Sequence, residues 1–205
     1  ECAEVAKAVA DAITLPLVVA GCGNAEKDGK VFDKVSAALE GKNILVMSAV
    51  EENYKAVCAA AGMAYGQKVA AESAVDINLA KQMNVLLTQL GVKQENIVMN
   101  VGCSAVGYGY EYVASTMDRV RLAAFNQNDK ALQIPIITPV SFEVGNVKEA
   151  IATEAEEQEW GDNEARTIGM EVSTAASVLV GGSNAVILRH PESMKTIKGL
   201  ISALA

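Results

Sequence analysis

Histidine occurs once in these 205 residues, at His190, and tryptophan once, at Trp160. A single histidine rules out a metal site built from several imidazoles. Aromatic residues make up only 4 % of the chain. Ala, Val, Ile and Leu carry the apolar content, which suits α/β layers better than an aromatic-rich sandwich. No apolar run approaches the ~20 residues of a membrane span. No basic stretch followed by an apolar segment and a cleavage site is present, so no signal peptide is expected. The net charge of −8 is spread without a basic stripe, which argues against a nucleic-acid partner. The expectation is a chain that binds neither nucleic acid nor membrane.

Clustered cysteines are also missing. Cys2, Cys22, Cys58 and Cys103 lie at least 20 positions apart, with no C-x-x-C. Zinc and iron–sulfur sites draw their ligands from tight local clusters, so the chain should carry neither a metal nor a cluster of its own. Nothing in the sequence suggests export, and a core of this size needs no disulfide staples. Four free thiols in a reducing cytoplasm are the expectation. No G-x-S-x-G occurs, and no serine is spaced with a base and an acid as a triad would require.

What is present is alternation. Six short β-branched runs are separated by amphipathic helical stretches: Leu15–Ala20, Asn43–Ser48, Lys68–Glu72, Asn96–Asn100, Pro135–Val140 and Ala185–Arg189. Most are almost continuously apolar, as strands covered on both faces must be. Tyr110, Val113, Met117, Val120 and Ala124 fall on one helical face, and so do Ala80, Met83, Leu87 and Leu90. Asp28 and Asp76 are candidate N-caps, Gly41 and Gly91 follow helix ends, and Pro191 suits a first turn. Ser141–Glu164 reads as an acidic, irregular stretch.

Strict β/α alternation implies a parallel sheet with right-handed crossovers. The residues Gly21-Cys22-Gly23-Asn24 do not continue into the G-x-G-x-x-G of a dinucleotide-binding sheet. The helix over Glu1–Ile13 needs a strand that would lie upstream. The fold class expected is therefore α/β, a (β/α)8 TIM barrel lacking about its first two strand–helix units. Residues 1–205 form one barrel domain on this reading, opening in mid-pattern as a fragment would.

A set of short motifs runs the length of the chain. Pro16-Leu17-Val18-Val19 leads into Gly21-Cys22-Gly23-Asn24 and Glu26-Lys27-Asp28. Glu52-Asn53-Tyr54, Asp76-Ile77-Asn78 and Gly107-Tyr108-Gly109 with Glu111-Tyr112 follow. Met117, Arg119, Arg121 and Leu122 come next, and Arg189-His190-Pro191-Glu192 closes the series. In order and spacing the sequence resembles the small subunit of the corrinoid iron–sulfur protein, called delta in the archaeal acetyl-CoA decarbonylase/synthase complex. Asn100 departs from that family's tendency toward an acidic residue, and Val144-Gly145 follow Glu143 where the family tends to an aromatic.

The resemblance implies a barrel that pairs with a large subunit holding the cobalamin and the iron–sulfur cluster. Cobalamin would thus be shared with the large subunit and not bound by this chain alone. The other partners implied are a methyltransferase, which delivers a methyl group from a methylated pterin, and acetyl-CoA synthase, which receives it. The chain would be a non-catalytic subunit of the reductive acetyl-CoA pathway. The competing enzymatic reading is a pterin-binding barrel methyltransferase, with Asp76, Asn78 and Asn100 holding the pterin.

A cover for reduced cobalt should be close-fitting, mostly apolar and neutral, with short hydroxyls and amides reaching the corrin's amide side chains. In a barrel such groups sit where the strands end. That logic selects Cys22, Gly23, Asn24, Ser48, Asp76, Asn78, Ser104, Gly107, Tyr108, Thr138 and His190 as cofactor-facing. Each has an ordinary alternative. Gly21 and Gly23 serve equally as a tight turn, Asp76 and His190 as N-caps, and Tyr108 as a cover for core.

Overall fold

The computed structural model describes residues 1–204. Six strands alternate with helices: α1 (Cys2–Ala12), β1 (Val18–Ala20), α2 (Ala25–Ala38), β2 (Leu45–Ala49), α3 (Tyr54–Val57), β3 (Lys68–Glu72), α4 (Ile77–Gln89), β4 (Ile97–Asn100), α5 (Tyr110–Asn126), β5 (Ile137–Thr138), α6 (Val140–Val144), α7 (Lys148–Ile151), α8 (Asn163–Val180), β6 (Ala185–Val186) and α9 (Pro191–Leu204). A π-helical stretch, Cys58–Ala64, continues α3.

β1 to β4 pair in sequence order and in parallel. A parallel bridge from Met99 to Ile136 joins β4 to the β5–β6 pair, also parallel. All six strands thus lie in chain order and point the same way, and right-handed crossovers then curl the sheet toward a barrel. The strands alternate between two layers, as a period of two requires. Val46, Ala49, Val69, Ala71, Ile97 and Met99 face the helices and join Phe32, Met83, Leu87, Val113 and Met117 in the main core. Leu45, Met47, Ala70 and Ile137, with Val98 and Ile187 against them, fill the barrel interior. Burying one such side chain stabilises by about 1.5–3 kcal/mol.

β1 and β6 do not pair among the described residues. Between them runs an apolar groove of about 730 Å³, lined by Val18, Val186, Leu188, Met194 and Ile201 among others. The arc therefore stops short of closure.

Several local expectations change. The first, fifth and sixth strands are shorter than their apolar runs, because flanking residues leave the ladder at Pro16 and Pro139 and after Val186. Asp28 lies inside α2, and the N-cap is Asn24, whose Oδ1 accepts from Lys27 N at 2.9 Å. Ser141–Glu164 is not irregular throughout. It holds the rest of α6 and all of α7, and Trp160 lies under the Lys148 ammonium and the Arg166 guanidinium at 4.9 and 5.6 Å from its ring centre.

Candidate functional site

Parallel strands carry every β→α loop to one rim, and there a cavity of about 530 Å³ opens. Its walls include Gly21, Ser48, Glu72, Asn100, Cys103 and Glu143. Asn100, at the end of β4 and 2 % exposed, organises the floor. Its Nδ2 donates to Ser48 Oγ and to Glu72 Oε2, each at 3.1 Å, and its Oδ1 accepts from Gly102 N at 3.1 Å. Three neighbouring loops are tied together through one amide.

The β1–α2 loop is shaped by Asp28. The carboxylate, 7 % exposed, accepts from Cys22 N at 2.8 Å and Gly23 N at 3.0 Å. Gly23, at φ +81°, takes a backbone conformation that other residues adopt only with strain. On the next loop Asn53 accepts from Val50 N and donates to Ala25 O. These polar side chains are spent on holding backbone.

Cys103 borders the cavity with a thiol pushed up to about 12 by burial, and Glu143's charge adds to the effect. It therefore stays protonated, and a protonated thiol is a poor nucleophile. Among the described residues no cation lines the cavity. Glu52, Glu72 and Glu143 are there instead, which corrects the expectation of a neutral rim. The signal for Glu72 was legible, since it ends an apolar run at the strand's C-terminal edge.

The sequence-selected residues separate into groups. Gly23 and Ser48 line the cavity. Ser104 and Tyr108 line an adjoining groove of about 450 Å³ with Tyr112 and Arg119. Tyr108, half exposed, donates to Glu149 Oε2 at 2.7 Å. Cys22 and Gly107 are exposed on rim loops without lining either space. Asn24 is spent as the α2 cap, and Asp76 caps α4 by accepting from Asn78 N at 2.7 Å and Leu79 N at 3.2 Å. Asn78 is exposed on α4. Thr138 is fully buried and bonds Ser183 Oγ at 2.8 Å, so it faces the wall of the barrel rather than its mouth.

His190 precedes Pro191 and works as the start of α9. Its Nδ1 accepts from Glu192 N at 3.2 Å, its carbonyl from Met194 N, and its Nε2 lies 3.0 Å from Glu164. Beneath it the 2 %-exposed Glu171 of α8 accepts from Arg189 N at 2.6 Å and His190 N at 3.2 Å. Glu171 was not selected from sequence, because one acidic residue in an amphipathic helix carries no mark of burial. Among the described residues no group of three His, Cys, Asp or Glu is placed to hold a metal ion, and no helix is long and apolar enough to cross a membrane.

Solved structures with this fold include dihydropteroate synthase of Xanthomonas albilineans in complex with 4-aminobenzoic acid, at a TM-score of 0.59 and 15 % identity. It is matched over 98 % of this chain and 69 % of that one. Dihydropteroate synthase of Yersinia pestis with a pterine-sulfa conjugate gives 0.58, 12 %, 98 % and 74 %. At such identities the likeness establishes the TIM-barrel fold alone. Curated relatives include the acetyl-CoA decarbonylase/synthase complex subunit delta of Methanopyrus kandleri, 32 % identical over all of this chain and 50 % of that protein. Subunit delta 2 of Methanosarcina acetivorans is 28 % identical over all of this chain and 47 % of that protein. The chain thus spans about half the length of the curated relatives it matches. The family model described as CO dehydrogenase/acetyl-CoA synthase delta subunit matches residues 1–193, and the chain belongs to that family.

Proposed function

We propose that this barrel covers the cobalamin carried by a large corrinoid subunit while a methyl group passes from a methylated pterin to acetyl-CoA synthase. One observation carries the reading: the rim cavity has no group equipped for the transfer itself. Its thiol is held protonated. The Asp28 carboxylate is committed to backbone N–H groups, and one oxygen of Glu72 to Asn100. Among the described residues no thiol or hydroxyl of the cavity donates a hydrogen bond to a carboxylate or imidazole base, so the mouth suits shielding a reactive group better than attacking one.

The cavity fits such a role in part. At about 530 Å³ it takes one edge of a corrin macrocycle and leaves the rest to a partner, which is the division a cover requires. Bound there, cobalamin would supply the methyl-carrying cobalt. Ser48, Glu72 and Asn100 would meet its side chains, and Pro139 and Phe142 would keep water from the edge. By itself the chain is expected to bind neither cobalamin nor a metal tightly. The implied partners are the large subunit, the pterin-dependent methyltransferase and acetyl-CoA synthase, in the cytoplasm.

The test mixes the purified chain with the cobalamin-bearing large subunit. Co-migration in gel filtration and slower oxidation of the reduced cobalt support the proposal, and independent migration sinks it. Tyr108→Glu places an unpaired charge on the rim beside Glu149, at a half-exposed residue whose loss leaves the core intact. It should weaken docking, because burying such a charge costs several kcal/mol.

A second reading has one observation in its favour. Pterin compounds appear in the solved dihydropteroate synthases, and Asn100 stands at the corresponding mouth of this barrel. Saturable binding of methyl-tetrahydrofolate to the chain alone would favour a pterin-binding methyltransferase. Asp76 and Asn78 do not serve that reading, since neither lines the cavity.

A further inference from the structure

From the cavity's chemistry we infer that the mouth, through Glu72, recognises the N–H donor edge of a ligand: a primary carboxamide or an aminopyrimidinone, and never an anion. This rests on the capping proposal for where the ligand sits, and goes beyond it in naming what the pocket selects.

Glu72 closes β3, half-buried, at the wall of the cavity. Its Oε2 is fixed by Asn100 Nδ2 at 3.1 Å, and Asn100 is pinned in turn by Ser48 and by Gly102 N. Both N–H donors of Asn100 are therefore spent, and the amide serves to aim the carboxylate. Among the described residues, Glu72 Oε1 accepts no hydrogen bond. A carboxylate that lines a cavity with one oxygen unbonded is an acceptor awaiting a donor, and charge makes that bond stronger than a neutral one.

The surroundings fix the sign. Glu52 and Glu143 share the cavity, and among the described residues no Lys, Arg or His lines it. A phosphate or carboxylate entering would meet like charge in a partly desolvated space with nothing to pair with, which is strongly unfavourable. A neutral group with two N–H bonds would satisfy Glu72 without adding charge. The same donor edge occurs on the carboxamide fringe of a corrin and on the pyrimidine end of a pterin.

The experiment follows the backbone amide NMR signals of the chain with three probes. Dicyanocobinamide is a corrin fringed with carboxamides, cobyrinic acid is its carboxylate counterpart, and 6-hydroxymethylpterin presents an aminopyrimidinone. Dicyanocobinamide is expected to shift the Gly21, Ser48 and Gly102 signals, and cobyrinic acid to bind at least about tenfold more weakly. Glu72→Gln keeps an oxygen for Asn100 but replaces the free acceptor by a donor, and should weaken binding by about tenfold. An unchanged spectrum elsewhere shows that the variant is folded. If only the pterin binds, and Glu72→Gln weakens it, the donor edge stands and its ligand is the pterin, not the corrin fringe. Equal binding of both corrins, indifference to Glu72→Gln, or no shift with any probe overturns the inference. Docking of the large subunit tests the capping proposal independently.

Discussion

The carboxylate of Asp28 occupies the space that a side chain on Gly21 would need: a Cβ there would lie 2.4 Å from Oδ2. Glycine at 21 and aspartate at 28 are therefore one device, the first making room for the second to hold Cys22 N and Gly23 N. Gly21→Ala should expel the carboxylate and destabilise the chain by about 1–3 kcal/mol, since two partly buried N–H groups lose a charged acceptor. Asp28→Ala should cost a similar amount, and the double variant little more than either single, because both remove the same bonds. Denaturant midpoints of the three variants check this, and additive losses would refute the coupling.

Glu171 supports the loop after β6 in the same manner. Glu171→Ala should cost about 2–4 kcal/mol, because Arg189 N and His190 N lose a charge-assisted partner and a cavity opens beneath them. Glu171→Gln retains one carbonyl oxygen and should cost less. Urea unfolding of both variants decides, and equal losses would mean that the charge and second acceptor oxygen, not the filled volume, hold the loop.

The thiols should fall into two classes. Cys2 and Cys22 are exposed, while Cys58 and Cys103 are buried with pKa values raised by that burial. At pH 8 an alkylating reagent should label two cysteines quickly and the other two only on unfolding, as counted by mass spectrometry. The pH dependence has a definite sign. Cys103 titrates near 9.0 when unfolded and about 12 when folded, so the folded state holds its proton more tightly. The stability this brings is complete below pH 9 and is lost as pH climbs from 9 toward 12. Cys103→Ser should flatten the alkaline fall in stability between those limits.

The unpaired edges of β1 and β6 should make the chain self-associate, since open parallel strands beside an apolar groove invite another chain to complete them. Light scattering across a concentration series measures this. Val18→Lys puts a charge on the β1 edge, where the side chain is 38 % exposed, and should shift the population toward monomer. A chain monomeric at all concentrations would show that these edges are protected.

Much of the architecture was legible in the sequence, because strands buried on both faces leave continuous apolar runs that interrupt helical periodicity. Val46, Val69 and Met99 announce themselves in this way. The mouth was less legible. Residues at strand ends could be placed on the rim, but whether a side chain turns toward the cavity depends on what else it can bond. Asp76 and His190 are captured by their own helix starts, the ordinary role their local pattern offered, and Thr138 by Ser183, which no local pattern reveals. Glu72 and Asn100 meet from different strands, 28 positions apart, so their pairing exists only once β3 and β4 lie side by side.

The strictly sequential order of the strands has a thermodynamic consequence. Each strand–helix unit pairs only with the unit before and the unit after, so the arc behaves as a short one-dimensional stack with two free ends. The middle is anchored by β2 and β3, whose inner and outer faces are both covered. α1 buries none of its residues, and α9 only Ser193 and Ile197. Opening should therefore begin at either end and travel inward. Amide exchange would be fastest in α1 and α9 and slowest in β2 and β3. Glu72 and Asn100, at the ends of β3 and β4, lie in the slow-exchanging centre, while the loop carrying His190 belongs to an end that comes and goes.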